Sequence, residues 1–431
     1  MSRVGQDSLR RSFVWILLGN SLYSLAQWFL IVLLVRLATR ELVGTFALML
    51  AIAAPVFMTA GMNLRLVQAT DSAKRWRLED YLALRHILNL VAVVITMAVG
   101  AVVLDHTALL ALAALAAAKA VETVSQTYYG FFQQWERHNY VAHSMIVRSV
   151  TGPVLFGGGY YISEQLSVAC LGLLIGWSVP QLLLDRRRAR VIRAEDNDSM
   201  QALLPAHWSE LVALARKASP MGLDHGVSSL AVNTPRYFVQ HFLGSAQLGV
   251  YSALSYLSQS IAMITSSLGS IVMPRMARLH RDGRQREFVR LLVLQTMFSL
   301  LVVAVAVGAA ITVGAAFVRE VLGPEYVDQE LLLALFVAAG ATTLQRCLGR
   351  GLVGAQKFVK YLAIDVTTLL GIAASAAILV PRWGLLGAAW ATTIGFLLGA
   401  ISCMFPVVHV VKSMRPAEPH AQSGRPTGSS S

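Results

Sequence analysis

The sequence predicts an all-α polytopic membrane protein of about twelve transmembrane helices, arranged as two pseudo-symmetric six-helix bundles. Three observations predict it. Of 431 residues, 56% are hydrophobic and 14% charged, against roughly 25% charged in an ordinary soluble domain; the mean hydropathy is +0.59. Apolar runs recur along the chain at about the 20 to 25 residues that a helix needs to cross a bilayer. The basic residues cluster on alternate connections between those runs. A soluble globular enzyme is excluded.

The runs fall at about residues 12–35, 42–62, 81–104, 107–132, 141–162, 166–184, 209–234, 247–272, 288–316, 328–346, 360–380 and 384–410. A basic segment, MSRVGQDSLRRSF, precedes the first run and looks like the start of a signal peptide. The apolar stretch continues to Val35 with no small-residue cleavage site, so it reads as a retained first helix. Residues 1–184 then form the N-terminal bundle, and 185–208, the longest polar connection, a cytoplasmic linker. Residues 209–411 form the C-terminal bundle, and 412–431, rich in Pro, Gly and Ser, a disordered cytoplasmic tail.

The formal charge is +13. With the N-terminus cytoplasmic, 29 of the 36 Lys and Arg residues lie on cytoplasmic connections and helix ends. Five (Arg36, Arg40, Arg236, Arg319 and Arg382) lie on the opposite side, and Lys119 and Arg148 fall inside spans. This is a positive-inside pattern, which orients a membrane protein and accounts for the basicity without nucleic acid.

Three matches between the halves suggest a duplication. Leu37 to Phe46 (LATRELVGTF) resembles Leu243 to Tyr251 (LGSAQLGVY) with a one-residue gap. Asp80-Tyr81 before the third span matches Glu287-Phe288 before the ninth, and Gly130 to Tyr140 has the Gly-to-Tyr spacing of Gly351 to Tyr361. Six spans per half is an even number, so the halves share an orientation and are related by an axis along the membrane normal, with substrate sites expected between them near the midplane.

An ionisable side chain inside the bilayer costs at least about 2.5 to 3.5 kcal/mol on insertion scales, so each asks for a reason. In the first span Asn20, Ser21, Ser24 and Gln27 form a polar stripe that fits cavity lining or helix packing. Lys119 lies about 20 Å into the fourth span at 1.5 Å per residue, with Glu122 three residues on and on the same face. They read as cavity-lining groups or as a self-neutralised pair. Arg148 lies two turns inside the fifth span and is expected either to meet an anion, since its planar guanidinium suits phosphate oxygens, or to snorkel to the interface. Arg65, Arg85, Arg216 and Arg346 lie nearer the cytoplasmic helix ends. In the seventh span Asp224 lies near the midplane, and Pro235 is expected to break the outer end of the helix. Asp224, Glu122 and Asp365 are candidate proton or sodium sites, with structural hydrogen bonding as the alternative. Tyr128, Tyr129, Phe131, Phe132, Trp135, Tyr160 and Tyr161 read as an interfacial belt, with stacking on sugars as the alternative.

Cys170, Cys347 and Cys403 show no pairing pattern and no metal spacing, so no metal or cofactor is expected. There is no G-x-x-x-x-G-K-[ST] phosphate loop. Asp196-Asn-Asp198 has the form used by metal-dependent glycosyltransferases but sits in the charged linker, without a domain around it.

Leu34 to Phe46 (LVRLATRELVGTF), Gly61 to Arg65 (GMNLR), Gln68 to Asp71 (QATD), Asn233 to Phe238 (NTPRYF), Leu248 to Ser252 (LGVYS) and Gly384 to Trp390 (GLLGAAW) together resemble Wzx-type polysaccharide flippases of the multidrug, oligosaccharidyl-lipid and polysaccharide exporter superfamily. The resemblance covers nearly the whole chain and rests on the order and spacing of these motifs. It implies a V-shaped pair of bundles in the bacterial inner membrane around a cationic cavity. It also implies movement of an undecaprenyl-diphosphate-linked oligosaccharide between leaflets by alternating access with a coupling ion. Arg148, Lys119, Arg65, Arg85 and Arg216 are then the expected substrate ligands, and Arg148→Ala is expected to abolish export. A polysaccharide polymerase and export machinery are the implied protein partners. A cation-coupled drug exporter of the same superfamily and a membrane glycosyltransferase or polymerase stay open as alternatives.

Overall fold

The computed structural model describes residues 3–71, 73–195, 208–355 and 357–414. The segments 196–207 and 415–431, and with them the D-x-D motif, half of the expected linker and most of the expected tail, lie outside the described residues. The first half comprises α1 (Arg3–Leu37), α2 (Arg40–Gly61) extended by the short α3 (Leu64–Ala69), α4 (Leu78–Val103), α5 (His106–Gln134), α6 (His138–Ser163), and α7 (Leu166–Pro180). A π-helical turn (Gln181–Asp185) leads from α7 into α8 (Arg186–Glu195), so arginines of the linker segment extend the sixth helix. The second half comprises α9 (Trp208–Arg281), α10 (Gln285–Val321), α11 (Gln329–Gly354) and α12 (Phe358–Ser413).

Two of these are folded back on themselves. Gly244 in α9 has φ 83° and ψ 178°, and Gly384 in α12 has φ 58° and ψ −133°, backbone conformations open to glycine and closed to most L-residues. Each helix thereby yields two arms that cross the molecule in opposite directions. The described residues hold six crossings in each half, as the apolar runs predicted. Among the described residues, eight helices are long and apolar enough to span by composition; α6 and α9, which carry the polar residues discussed below, are not among them.

Pro235 does not break its helix, contrary to expectation. The first arm of α9 runs through it to Gly244, since a proline inside a membrane helix is tolerated where the surroundings absorb the freed backbone groups. Two other prolines show how. Pro55 in α2 has no N–H for the Ala51 carbonyl four residues back, and the Tyr237 hydroxyl of α9 donates to that oxygen at 2.5 Å. Pro180 likewise frees the Gly176 carbonyl, which accepts from Thr151 Oγ1 of α6 at 2.6 Å. The first of these bonds joins the two halves.

The halves meet along α2 and both arms of α9. A Cβ on Gly44 would lie 1.8 Å from the Ser245 carbonyl oxygen, and one on Gly249 would lie 2.3 Å from the Arg40 carbonyl oxygen. Each glycine therefore packs on the backbone carbonyl of the residue four before the other, a self-complementary contact of the kind a two-fold axis creates. Gly44 and Gly249 are the matching glycines of the first internal repeat, which places the pseudo-two-fold axis through this point. The second match is structural too. Arg77 caps α4 with Asp80 at N3, and Arg284 caps α10 with Glu287 at N3; the next residues, Tyr81 and Phe288, are both fully buried. The third is looser, for Gly130 lies on the Arg65 backbone while Gly351 meets the Leu292 and Val407 side chains.

The apolar core explains the overall shape. The end bearing the turns at Thr39, Asp105, Gly244 and Asp328 is the far end, and the end bearing Arg75, Arg193 and Arg284 is the basic end. One continuous core at the far end includes Leu34, Phe46 and Trp177 of the first half with Leu248, Tyr326 and Ala388 of the second. At the basic end the halves have separate cores, around Phe132 and Met145 in one and Met276 and Phe288 in the other. Among the described residues, the end of α2 with α3 and α4 bridges them there to the start of α9, through Leu64, Tyr81 and Leu214. The bundles thus form a V joined at the far end.

Candidate functional site

Between the halves lies a cavity of about 460 Å³. From the first half, α1 contributes Ser24, Gln27 and Trp28, α5 contributes Lys119, and α7 contributes Trp177. From the second, α9 presents His225, Ser229, Asn233 and Arg236 at helical spacing, then Tyr256 and Gln259 from its second arm, and α11 adds Arg346. A smaller chamber of about 260 Å³ inside the second half adjoins it, sharing Val232, Arg236, Gln259 and Arg346. Its remaining polar lining is hydroxyl-bearing: Tyr251, Ser255, Ser258, Thr342 and Thr392.

Of the five expected substrate ligands, Lys119 alone lines this cavity. Its Nζ is 2.9 Å from Glu122 Oε2 and 5.2 Å from the Trp177 ring centre, while Glu122 also accepts from the Tyr23 hydroxyl. The expected pair forms, and Lys119 is its member that lines the cavity. Arg148 is 1% exposed and lies behind Trp177. It donates to Ser125 Oγ and, at 3.4 Å, to the Trp177 carbonyl, and its guanidinium is 5.8 Å from the Trp177 ring centre. The reason is the position of α6, which packs on α1 and α7 at the side of its bundle, so its inward face meets α5 and α7 and not the cleft. Arg148 therefore neither lines the cavity nor snorkels.

Arg65 and Arg85 are likewise bound within the first half. Arg65 donates to Gln126 at 2.8 Å and Gln133 at 3.1 Å, and buried Arg85 donates to Thr127 at 3.1 Å. Arg216 is exposed near the basic end of α9. These three also stand away from the cavity lining. The aromatic residues of α5 are not an interfacial belt either, because Tyr128, Tyr129, Phe131 and Phe132 turn into the core of the first half; Tyr161, exposed, fits that expectation.

Two of the three acidic candidates, Asp224 and Asp365, lie in the second half. Asp224 of α9 stands within electrostatic range of Asp365 of α12. Asp365 is buried, accepts from Gln345 Nε2 at 2.9 Å, and also faces Arg346. Asp224 Oδ1 has no hydrogen-bond partner among the described residues. Glu122 belongs to the other half.

Arg236 was assigned by the charge count to the far side, yet it is 4% exposed and central. Its Nη1 donates to Asn233 Oδ1 at 2.5 Å and its Nη2 to Ser255 Oγ at 3.2 Å, with the guanidinium 4.9 Å from the Tyr256 ring centre. The stripe His225, Ser229, Asn233, Arg236, spaced four, four and three residues apart, was the signal available for it. Arg346, near a cytoplasmic helix end by sequence, also lines the cavity.

A model of the polysaccharide biosynthesis protein family matches residues 9–280. Capsular polysaccharide biosynthesis protein CapF of Staphylococcus aureus is 23% identical over 401 residues, covering 91% of this chain and 97% of that protein. An inward-facing multidrug resistance MATE family transporter of the MOP superfamily aligns with a TM-score of 0.71 at 12% identity, over 93% of this chain and all of that one. Lipid II flippase MurJ, in an inward closed conformation, gives 0.70 at 14% identity, over 93% and 89%. At those identities the structural likeness shows a shared fold, that of a multi-pass membrane protein. The family match spans the first half and the opening helices of the second, including the α2–α9 seam, and the chain belongs to the polysaccharide biosynthesis protein family.

Proposed function

We propose that this protein carries an undecaprenyl-diphosphate-linked oligosaccharide from the cytoplasmic to the outer leaflet of a bacterial inner membrane, for surface or secreted polysaccharide. The observation that carries the reading is the cavity between the halves, lined by Lys119, Arg236 and Arg346, in a member of the polysaccharide biosynthesis protein family. Basic side chains in a low-dielectric cleft attract an anion such as a diphosphate, while a prenyl tail stays in lipid. The positive-inside pattern supports a cytoplasmic basic end with both termini on that side. The V joined at the far end is then an inward-open state, and alternating access moves the opening to the other side. Asp224 and Asp365 are the carboxylates suited to a coupling proton or sodium ion; Glu122, engaged by Lys119 and Tyr23, balances charge in the cavity wall.

The test is a deletion strain complemented with this chain. Loss of surface polysaccharide with undecaprenyl-linked oligosaccharide accumulating on the cytoplasmic side is the expected result, and unchanged polysaccharide would sink the proposal. The Asp224–Asp365 pair also suits a cation-coupled drug exporter. Cavity arginines disfavour cationic drugs, however, and drug susceptibility of the same strain separates the two readings.

A further inference from the structure

Charge compensation differs between the two walls of the cavity. In the first half Lys119 is neutralised by Glu122 at 2.9 Å. In the second, Arg236 bonds only neutral groups, Asn233 and Ser255, and its buried Nε has no partner among the described residues. Arg346, half-buried, makes no hydrogen bond or ion pair among the described residues; Asp365, which accepts from Gln345, acts on it electrostatically without direct contact. A desolvated guanidinium with unspent N–H groups is costly unless an anion completes it. Both arginines line the main cavity and the adjoining chamber, so they stand where the two spaces meet.

We propose that the diphosphate of the substrate is held principally by Arg236 and Arg346 of the second half, at the mouth of the hydroxyl-lined chamber, with Lys119 a lesser contact. Two planar forks offer the paired N–H donors that fit the several oxygens of a diphosphate, and a lone ammonium does not. The chamber hydroxyls of Ser255, Ser258, Thr342 and Thr392 then face the first sugar. This inference rests on the flippase reading and refines it.

The experiment measures binding of undecaprenyl diphosphate, and separately of inorganic diphosphate, to the full-length protein in lipid nanodiscs. Arg346→Gln removes no bond to any described residue, so folding is retained. It is expected to weaken undecaprenyl diphosphate about tenfold or more, the usual scale for a charged hydrogen bond. Arg346→Lys recovers part of that loss, Lys119→Gln costs less than Arg346→Gln, and Arg284→Gln, at the surface, has no effect. A larger loss from Lys119→Gln than from Arg346→Gln overturns the placement and leaves the flippase reading standing. Failure of the unaltered protein to bind undecaprenyl diphosphate at all overturns both. Arg346-dependent binding of inorganic diphosphate as tight as that of the lipid supports the two arginines as the anion site and sinks the flippase reading.

Discussion

At the scale of single residues, a backbone group freed by proline makes one of the bonds by which the halves touch. Pro55 leaves the Ala51 carbonyl without its helix donor, and the Tyr237 hydroxyl supplies one from the other half. Tyr237→Phe leaves that carbonyl unpaired inside the protein and is expected to cost about 1 kcal/mol, within the range for hydrogen bonds in membrane proteins. In a Pro55→Ala background the restored helix bond satisfies Ala51 from within α2, and the same Tyr237→Phe change should then be nearly neutral. Thermal unfolding of the four proteins in detergent measures the coupling. Equal costs in the two backgrounds would show that the Tyr237 bond is incidental.

At the scale of elements, the α2–α9 seam depends on close backbone approach, as membrane helices do where small residues meet. Gly44→Ala drives a methyl into the Ser245 carbonyl and Gly249→Ala drives one into the Arg40 carbonyl. Each is expected to destabilise by about 1–3 kcal/mol or more, the cost of overpacking, whereas Gly308→Ala, with nothing within 4 Å of the added Cβ, should leave stability unchanged or slightly raised. Purified yield and unfolding temperature report this, and a tolerated Gly44→Ala would refute the contact. The seam was half legible in the sequence. The repeat around Gly44 and Gly249 was visible, and so were the helices, because an apolar run of spanning length has one stable conformation in lipid. The facing of the helices was legible only in part. In a chain largely apolar on every side, nothing in the order of residues turns Arg148 away from the cleft, which follows from α6 lying at the side of its bundle; for Arg236 the polar stripe with His225, Ser229 and Asn233 marks the inward face of α9. Lys119 and Glu122 were legible because their spacing fixes them to each other wherever the helix turns.

At the scale of the whole molecule, the alternating access proposed above requires the far end to part, and among the described residues polar contacts cross that end beside the apolar core. Arg36 Nε donates to the Val321 carbonyl at 2.8 Å, and the Arg40 guanidinium lies 5.7 Å from the Tyr326 ring centre. At the basic end Trp76 Nε1 donates to Glu210 at 3.1 Å, and Lys217 Nζ lies 4.8 Å from the Trp76 ring centre, so that side is also tied, but only along one seam. Removing the two far-end contacts with Arg36→Ala and Arg40→Ala forfeits about 1–2 kcal/mol of the closed state, a shift of roughly 5- to 30-fold in the balance between the two openings. The three native cysteines are buried and free, so a Ser24→Cys reporter in the cavity wall reads the opening cleanly once they are replaced by serine. In the otherwise unaltered protein a membrane-impermeant maleimide should reach that thiol from the basic side. With both arginines removed, labelling from the far side should rise several-fold while labelling from the basic side falls. Unchanged labelling from both sides would mean that the shared apolar core, and not these polar contacts, sets which way the V opens.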